Sequence, residues 1–96
     1  MKASIYMTVA QIAELEGKTP ARIRQPIAEI REEVAKGRYP KESIGEAPID
    51  INYYVYRDYR TYRARLRNRQ ARKSVPPFNP AEIAKICPVI TRMVSV

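Results

Sequence analysis

TVAQIAELEGKTPARIRQPIAEI, residues Thr8 to Ile30, holds the pattern on which the fold turns. Thr8 stands where an N-cap is needed, and Gln11 three positions later completes a capping box that satisfies two backbone donors. Val9, Ile12, Ala13 and Leu15 fall on one side of the helix so started, with Gln11, Glu14 and Glu16 on the other. Gly17 suits the left-handed C-cap. Thr19 caps again, and Pro20 takes the first helical position, where its missing N–H costs nothing. Ile23, Ile27, Ile30 and Val34 then form one stripe at spacings of four, three and four. A short helix, a Gly turn and a Thr-capped helix together read as a helix-turn-helix.

With Ile23 and Ile27 inward, Ala21, Arg22, Gln25 and Glu29 project outward and Arg24 lies at the flank. Arg can grip guanine with two hydrogen bonds and Gln can do the same to adenine, so Arg22 and Gln25 suit base edges in a major groove. Lys18 and the Thr19 hydroxyl sit at the helix N-terminus, where the dipole and unpaired N–H groups favour phosphate. A plain helical hairpin with a solvated polar side fits these residues equally well. The charge pattern further along separates the two readings.

Ninety-six residues suffice for one small domain. Eighteen Lys and Arg against ten Asp and Glu give a net charge of +8, a balance that favours a polyanion, nucleic acid before an acidic membrane. No apolar run approaches the roughly 18 residues of a spanning helix, so no membrane is expected as a partner. The amino end, MKASIYMTV, lacks a long apolar stretch and is expected to carry no signal peptide. The single cysteine, Cys87, leaves no internal disulfide and fits a reducing cytoplasm. Histidine is absent, which removes the commonest general base, and no zinc cluster can be assembled from one Cys. We therefore expect no enzyme, no metal and no cofactor.

Lys2 to Met7 is expected to include a short strand leading into the Thr8 cap, with Met7 a second candidate initiation codon. Pro26 either kinks the second helix or splits it. The isoleucine stripe passes through it in phase, which favours one kinked helix closed by Gly37. Arg38 to Asn52 reads as extended chain around a turn near Gly45 to Pro48. Ile49, Ile51, Tyr53 and Val55 alternate with Asp50, Asn52, Tyr54 and Tyr56, the period of a half-buried strand. A hairpin here would be a wing, with Arg38 and Lys41 as its phosphate contacts. The alternative is a plain connecting hairpin.

Asp58 is expected to cap a further helix reaching about Lys73, docked by Tyr59, Tyr62 and Leu66. From Arg57 to Lys73 there are eight positive residues against Asp58 alone, a charge of +7 within the total of +8. Like charges at these spacings repel, and phosphates alongside would relieve them. Arg57, Arg60, Arg63 and Arg67 are accordingly expected on a nucleic-acid backbone. Ser74 to Pro80 is a rigid break. Asn79 and Pro80 open a short helix, and an apolar, β-branched end follows that is expected to cover the core or pair with a neighbouring subunit. The division expected is a domain over 1–73, including the basic helix 58–73, and an extension over 74–96 available for self-association.

The runs MTVAQIAELEGKTPARIRQ, GRYP and INYYVYRDYRTY resemble the small winged-helix excisionases and Cox-type regulators of temperate bacteriophages, over about Thr8 to Tyr62. That resemblance implies a mainly α fold with a small β-hairpin, a winged helix-turn-helix of the MerR/excisionase kind. It further implies binding to repeated DNA sites, DNA bending, self-association along DNA, direction of a phage integrase toward excision, and repression of a promoter. Thr19, Arg22, Arg24 and Gln25 become its base-reading positions, and the wing falls between Arg38 and Asn52. The stretch from Gln25 to Gly37 is about two helical turns longer than the family pattern. A bacterial host cytoplasm is the compartment implied. Two alternatives remain open: an RNA-binding basic protein whose tyrosines stack on bases, and a protein-binding adaptor or anti-repressor.

Overall fold

In the computed structural model the Thr8 hydroxyl accepts from the Gln11 N–H at 3.1 Å and the Gln11 side chain accepts from the Thr8 N–H at 2.9 Å. This capping box starts helix α1, Val9–Glu16. Gly17 ends it with φ 69°, and the Lys18 N–H reaches back to the Ala13 carbonyl. That closure requires a left-handed residue. Residues 6–46 and 49–85 are described.

Helix α2, Pro20–Ala35, begins at Thr19 and runs through Pro26 as one helix. Pro26 is buried with Ile23, Ile27 and Ile30. Its ring therefore adds to the core that the isoleucine stripe makes, which offsets the lost backbone bond. Gly37, at φ 94°, closes this helix as well, with the Arg38 N–H on the Glu33 carbonyl.

Strand β1, Tyr6–Met7, pairs antiparallel with β3, Ile49–Asn52, and β3 pairs with β2, Ile44–Glu46. The order in the sheet is β1-β3-β2. Ile51 faces Met7 on one side and Ile44 on the other, so three buried apolar side chains meet the isoleucines of α2. Of the turn expected near Gly45 to Pro48, Gly45 and Glu46 belong to β2, and residues 47 and 48 lie outside those described.

Helix α3 departs from expectation. It spans Tyr53–Leu66 and is capped by Asn52, whose side chain accepts from the Tyr54 N–H at 2.9 Å. The strand therefore ends at Asn52, and Asp58 lies inside the helix rather than at its start. Alternation from Ile49 onward misled because Tyr53, Tyr54, Val55 and Tyr56 are all buried. An apolar run buried on every side carries no period. At the other end α3 stops at Leu66, seven residues short of Lys73. The Asn68 side chain accepts from the Gln70 and Ala71 N–H groups, turning the chain into a 3-10 helix over Ala71–Ser74.

Helix α4, Pro80–Lys85, is opened by Asn79 and buries Ile83 against α3. Phe78 meets the Tyr39 ring edge-on at 5.2 Å. Residues 75–85 thus share the core of the rest, and the apolar end beyond them lies outside the described residues. The chain is mainly helical with a small three-stranded antiparallel sheet.

Replacing Asn52 by Ala should remove the cap and destabilise the protein by about 1 kcal/mol. Denaturant unfolding would measure this. A neutral result would mean that α3 does not rely on that cap.

Candidate nucleic-acid interface

Eight cations crowded into seventeen residues need counter-charges, and α1 and α2 supply three. Arg57 Nη1 lies 3.3 Å from both Glu16 oxygens, and the Tyr53 hydroxyl donates to the same carboxylate. Arg63 donates through Nε and Nη2 to the two oxygens of Glu29, each at 2.9 Å, and Tyr59 adds a third hydrogen bond at 2.6 Å. Arg72 reaches Glu33 at 2.9 Å, with Lys36 at 3.8 Å. Taken in order, Arg57 meets the end of α1 and Arg63 and Arg72 meet the second half of α2, so α3 and its following turn lie beside both helices. Glu16 and Glu33 are buried acceptors with side chains 8% and 5% exposed. Glu14 and Glu32 are exposed.

Arg63, followed by Tyr59, holds the Glu29 carboxyl down at about 2 despite partial burial. The same pairing, behind burial, pushes the Tyr59 phenol up.

A fourth node sits deeper. Asp58 is 1% exposed and accepts from Arg38 Nε at 3.2 Å, Arg38 Nη2 at 2.8 Å and the Tyr39 hydroxyl at 2.6 Å. Arg38 spends its remaining arm on the Pro76 carbonyl at 2.9 Å. Burial, and then the adjacent Asp58 charge, raises the Tyr39 phenol pKa. A buried carboxylate left unmatched would cost several kcal/mol, and here three donors match it.

These pairings sort the residues expected to touch DNA. Thr19, Arg22, Arg24 and Gln25 are all exposed, on the first two turns of α2, with half-buried Lys18 just before them. Thr19 keeps its hydroxyl clear of the cap: its side chain makes no capping bond. Glu29, expected outward, is instead turned to α3. Arg38, expected as a wing contact, is a correction: its side chain is only 10% exposed and is committed to Asp58. Arg57 and Arg63 are likewise structural ion pairs before they are anything else. Arg60 is half-buried on the α3 side between them, with no carboxylate partner among the described residues, while Lys41 and Arg67 are exposed. The structure thus brings Lys18, Arg22, Arg24 and Gln25 together and leaves Arg67 at the far end of α3.

At that far end a groove of about 560 Å³ runs between the second half of α2 and the turn after α3. Glu32, Glu33 and Lys36 line one wall and Arg67, Arg69 and Arg72 the other. Arg65, Arg69 and Lys73, not singled out from the sequence, are exposed in the same region. A signal for the ladder was present, since Glu29 and Glu33 stand four apart on a helix. Nothing in the sequence marked Asp58 as a buried acceptor. The tyrosines available for base stacking are few, because Tyr39, Tyr53, Tyr54, Tyr56 and Tyr59 are core residues.

Among the described residues no helix is long and apolar enough to cross a membrane. No family model, curated protein or solved structure matches the chain.

Two consequences can be measured. Changing Asp58 to Ala strands Arg38 and Tyr39 and should cost about 3 kcal/mol or more in denaturant unfolding, enough to threaten the fold. Glu29 has a depressed pKa, so its contribution is complete above the ordinary value of 4.5 and is lost as pH falls toward about 2. Glu29→Gln should therefore be less stable than the parent at pH 6, by about 1 kcal/mol for a partly exposed pair. The gap should close as the pH is lowered to 2, which thermal melts across that range would follow.

Proposed function

We propose that this chain is a non-enzymatic, sequence-specific binder of double-stranded DNA, built as a winged helix-turn-helix. In this reading the β2–β3 hairpin is the wing and α2 the reading helix. The observation that carries it is the division of α2. Around its first two turns the polar side chains are cations, an amide and a hydroxyl, at Lys18, Thr19, Arg22, Arg24 and Gln25, with no acid among them. The second half carries Glu29, Glu32 and Glu33, of which two are already neutralised by arginines of the neighbouring segment.

A helix N-terminus bearing these side chains enters a major groove well. Phosphate is favoured at the free N–H groups around Thr19, and Arg22 and Gln25 can each make a two-bond contact to a purine edge. Arg60, half-buried on α3 between Arg57 and Arg63, supplies a backbone contact. The order β1, α1, α2, β2, β3, α3 agrees with the winged-helix reading. The role implied by the resemblance belongs to the same proposal: an excisionase acting with a phage integrase, or a promoter repressor, self-associating along DNA. Burial of five tyrosines speaks against an RNA-stacking surface.

Selection from a random duplex library would identify the preferred site. Arg22→Ala should then lose about 1–3 kcal/mol of discrimination at one base pair, while Arg60→Gln should weaken all duplexes alike and lower the salt slope by about one. Identical behaviour of the two variants would refute the division between reading and backbone contacts. Binding insensitive to salt would refute DNA binding as the function and favour a protein-binding adaptor.

A further inference from the structure

Two groups of cations outside the ion-pair ladder lie beside α2, one at its first two turns and one against its second half. One is the head, Lys18, Arg22 and Arg24. The other is the turn after α3, where Arg67, Arg69 and Lys73 are exposed and where Arg67 and Arg69 face the last turns of α2 across the groove. α2 is sixteen residues long, roughly 24 Å, with Arg22 and Arg24 on its first turns and the groove lined by Glu29, Glu32, Glu33 and Lys36 toward its end. Between them α2 presents Glu29, Glu32 and Glu33 beside Arg31, so acids interrupt the positive surface that would join the two.

A helix that enters a major groove by its first two turns directs its other end away from that duplex. The second group then faces solvent, or another polyanion. We propose that Arg67, Arg69 and Lys73 form a second phosphate-binding site, which engages the backbone of a separate DNA segment while the head holds the first. The protein is then a bridge between two duplexes. This rests on the DNA-binding reading above.

Three features of the second site favour a phosphate backbone. Its side chains are long and exposed, and they stand on a turn held in place by the Asn68 and Arg72 bonds. From Leu66 to Lys73 there are four cations and no acid; of the three carboxylates across the groove, Glu33 is held by Arg72 and Glu29 by Arg63, which leaves Glu32 facing them. The site's 3-10 helix, Ala71–Ser74, is only four residues long, too short to lie in a groove and hold side chains against base edges. Contact there would be sequence-independent and strongly salt-dependent.

The test uses the full chain, a bead-bound duplex carrying the preferred site, and a free labelled duplex of unrelated sequence. The parent protein should capture the labelled duplex on the beads. R67Q/R69Q/K73Q should occupy the bead-bound duplex with unchanged site preference and an unchanged melting curve, yet lose capture by about tenfold or more. Its salt slope for capture should fall by about three. Capture that persists in the triple variant would overturn the proposal and assign bridging to contacts between protein copies. Site-specific binding by the parent with no capture at any salt would overturn it while leaving the proposed function intact, and would be the outcome if this patch served an acidic protein. Absence of any duplex binding would overturn both.

Discussion

The pairing of carboxylates on α1 and α2 with guanidinium groups on α3 and its following turn is the constraint from which the rest follows. A helix with arginine at every third or fourth position repels itself. It becomes a stable element here because Glu16, Glu29 and Glu33 lie alongside at hydrogen-bonding distance. The same three pairs fix how far α3 is advanced along α2. They also decide which cations stay outside, since every arginine drawn into the ladder is withdrawn from the surface. The net charge of the chain is therefore a poor guide to where its positive potential is concentrated.

The ladder rests in turn on a buried base. Asp58, in the middle of α3, draws Arg38 and Tyr39 down from the segment after α2, and Phe78 closes over Tyr39 from the carboxyl side. Four tyrosines in the first two turns of α3, Tyr53, Tyr54, Tyr56 and Tyr59, are all buried in the same core. Such a core is polar for its size. The hydroxyls of Tyr53, Tyr59 and Tyr39 find partners in Glu16, Glu29 and Asp58, so the carboxylates serve the packing of aromatic rings as well as the balance of charge.

Much of the amino half could be read in advance because its signals are local. A Thr–Gln capping box, a Gly in the left-handed region and an isoleucine stripe each depend on residues within one or two turns, and each occurs where the sequence puts it. The exposed positions of the first two turns of α2 follow from the same stripe. What was not legible involves partners distant in sequence. Arg38 and Asp58 are twenty residues apart, and Arg72 and Glu33 thirty-nine. No periodicity reports a bond of that span, so lone charges were assigned to solvent or phosphate. The start of α3 failed for a different reason: tyrosine favours strands, and a single Asn cap outweighed that preference.

Arg38 also gives the carboxyl side an energetic role beyond packing. Its guanidinium holds Asp58 with two nitrogens and the Pro76 carbonyl with the third. Peeling residues 75–79 from the surface would therefore open the buried acid to water and remove one of the acceptors that fix its partner. Local fraying of this strap is coupled to loosening of the helix that carries the arginines. Hydrogen exchange along residues 75–85 should consequently proceed with that of α3, as one cooperative unit, instead of ahead of it as a surface tail would.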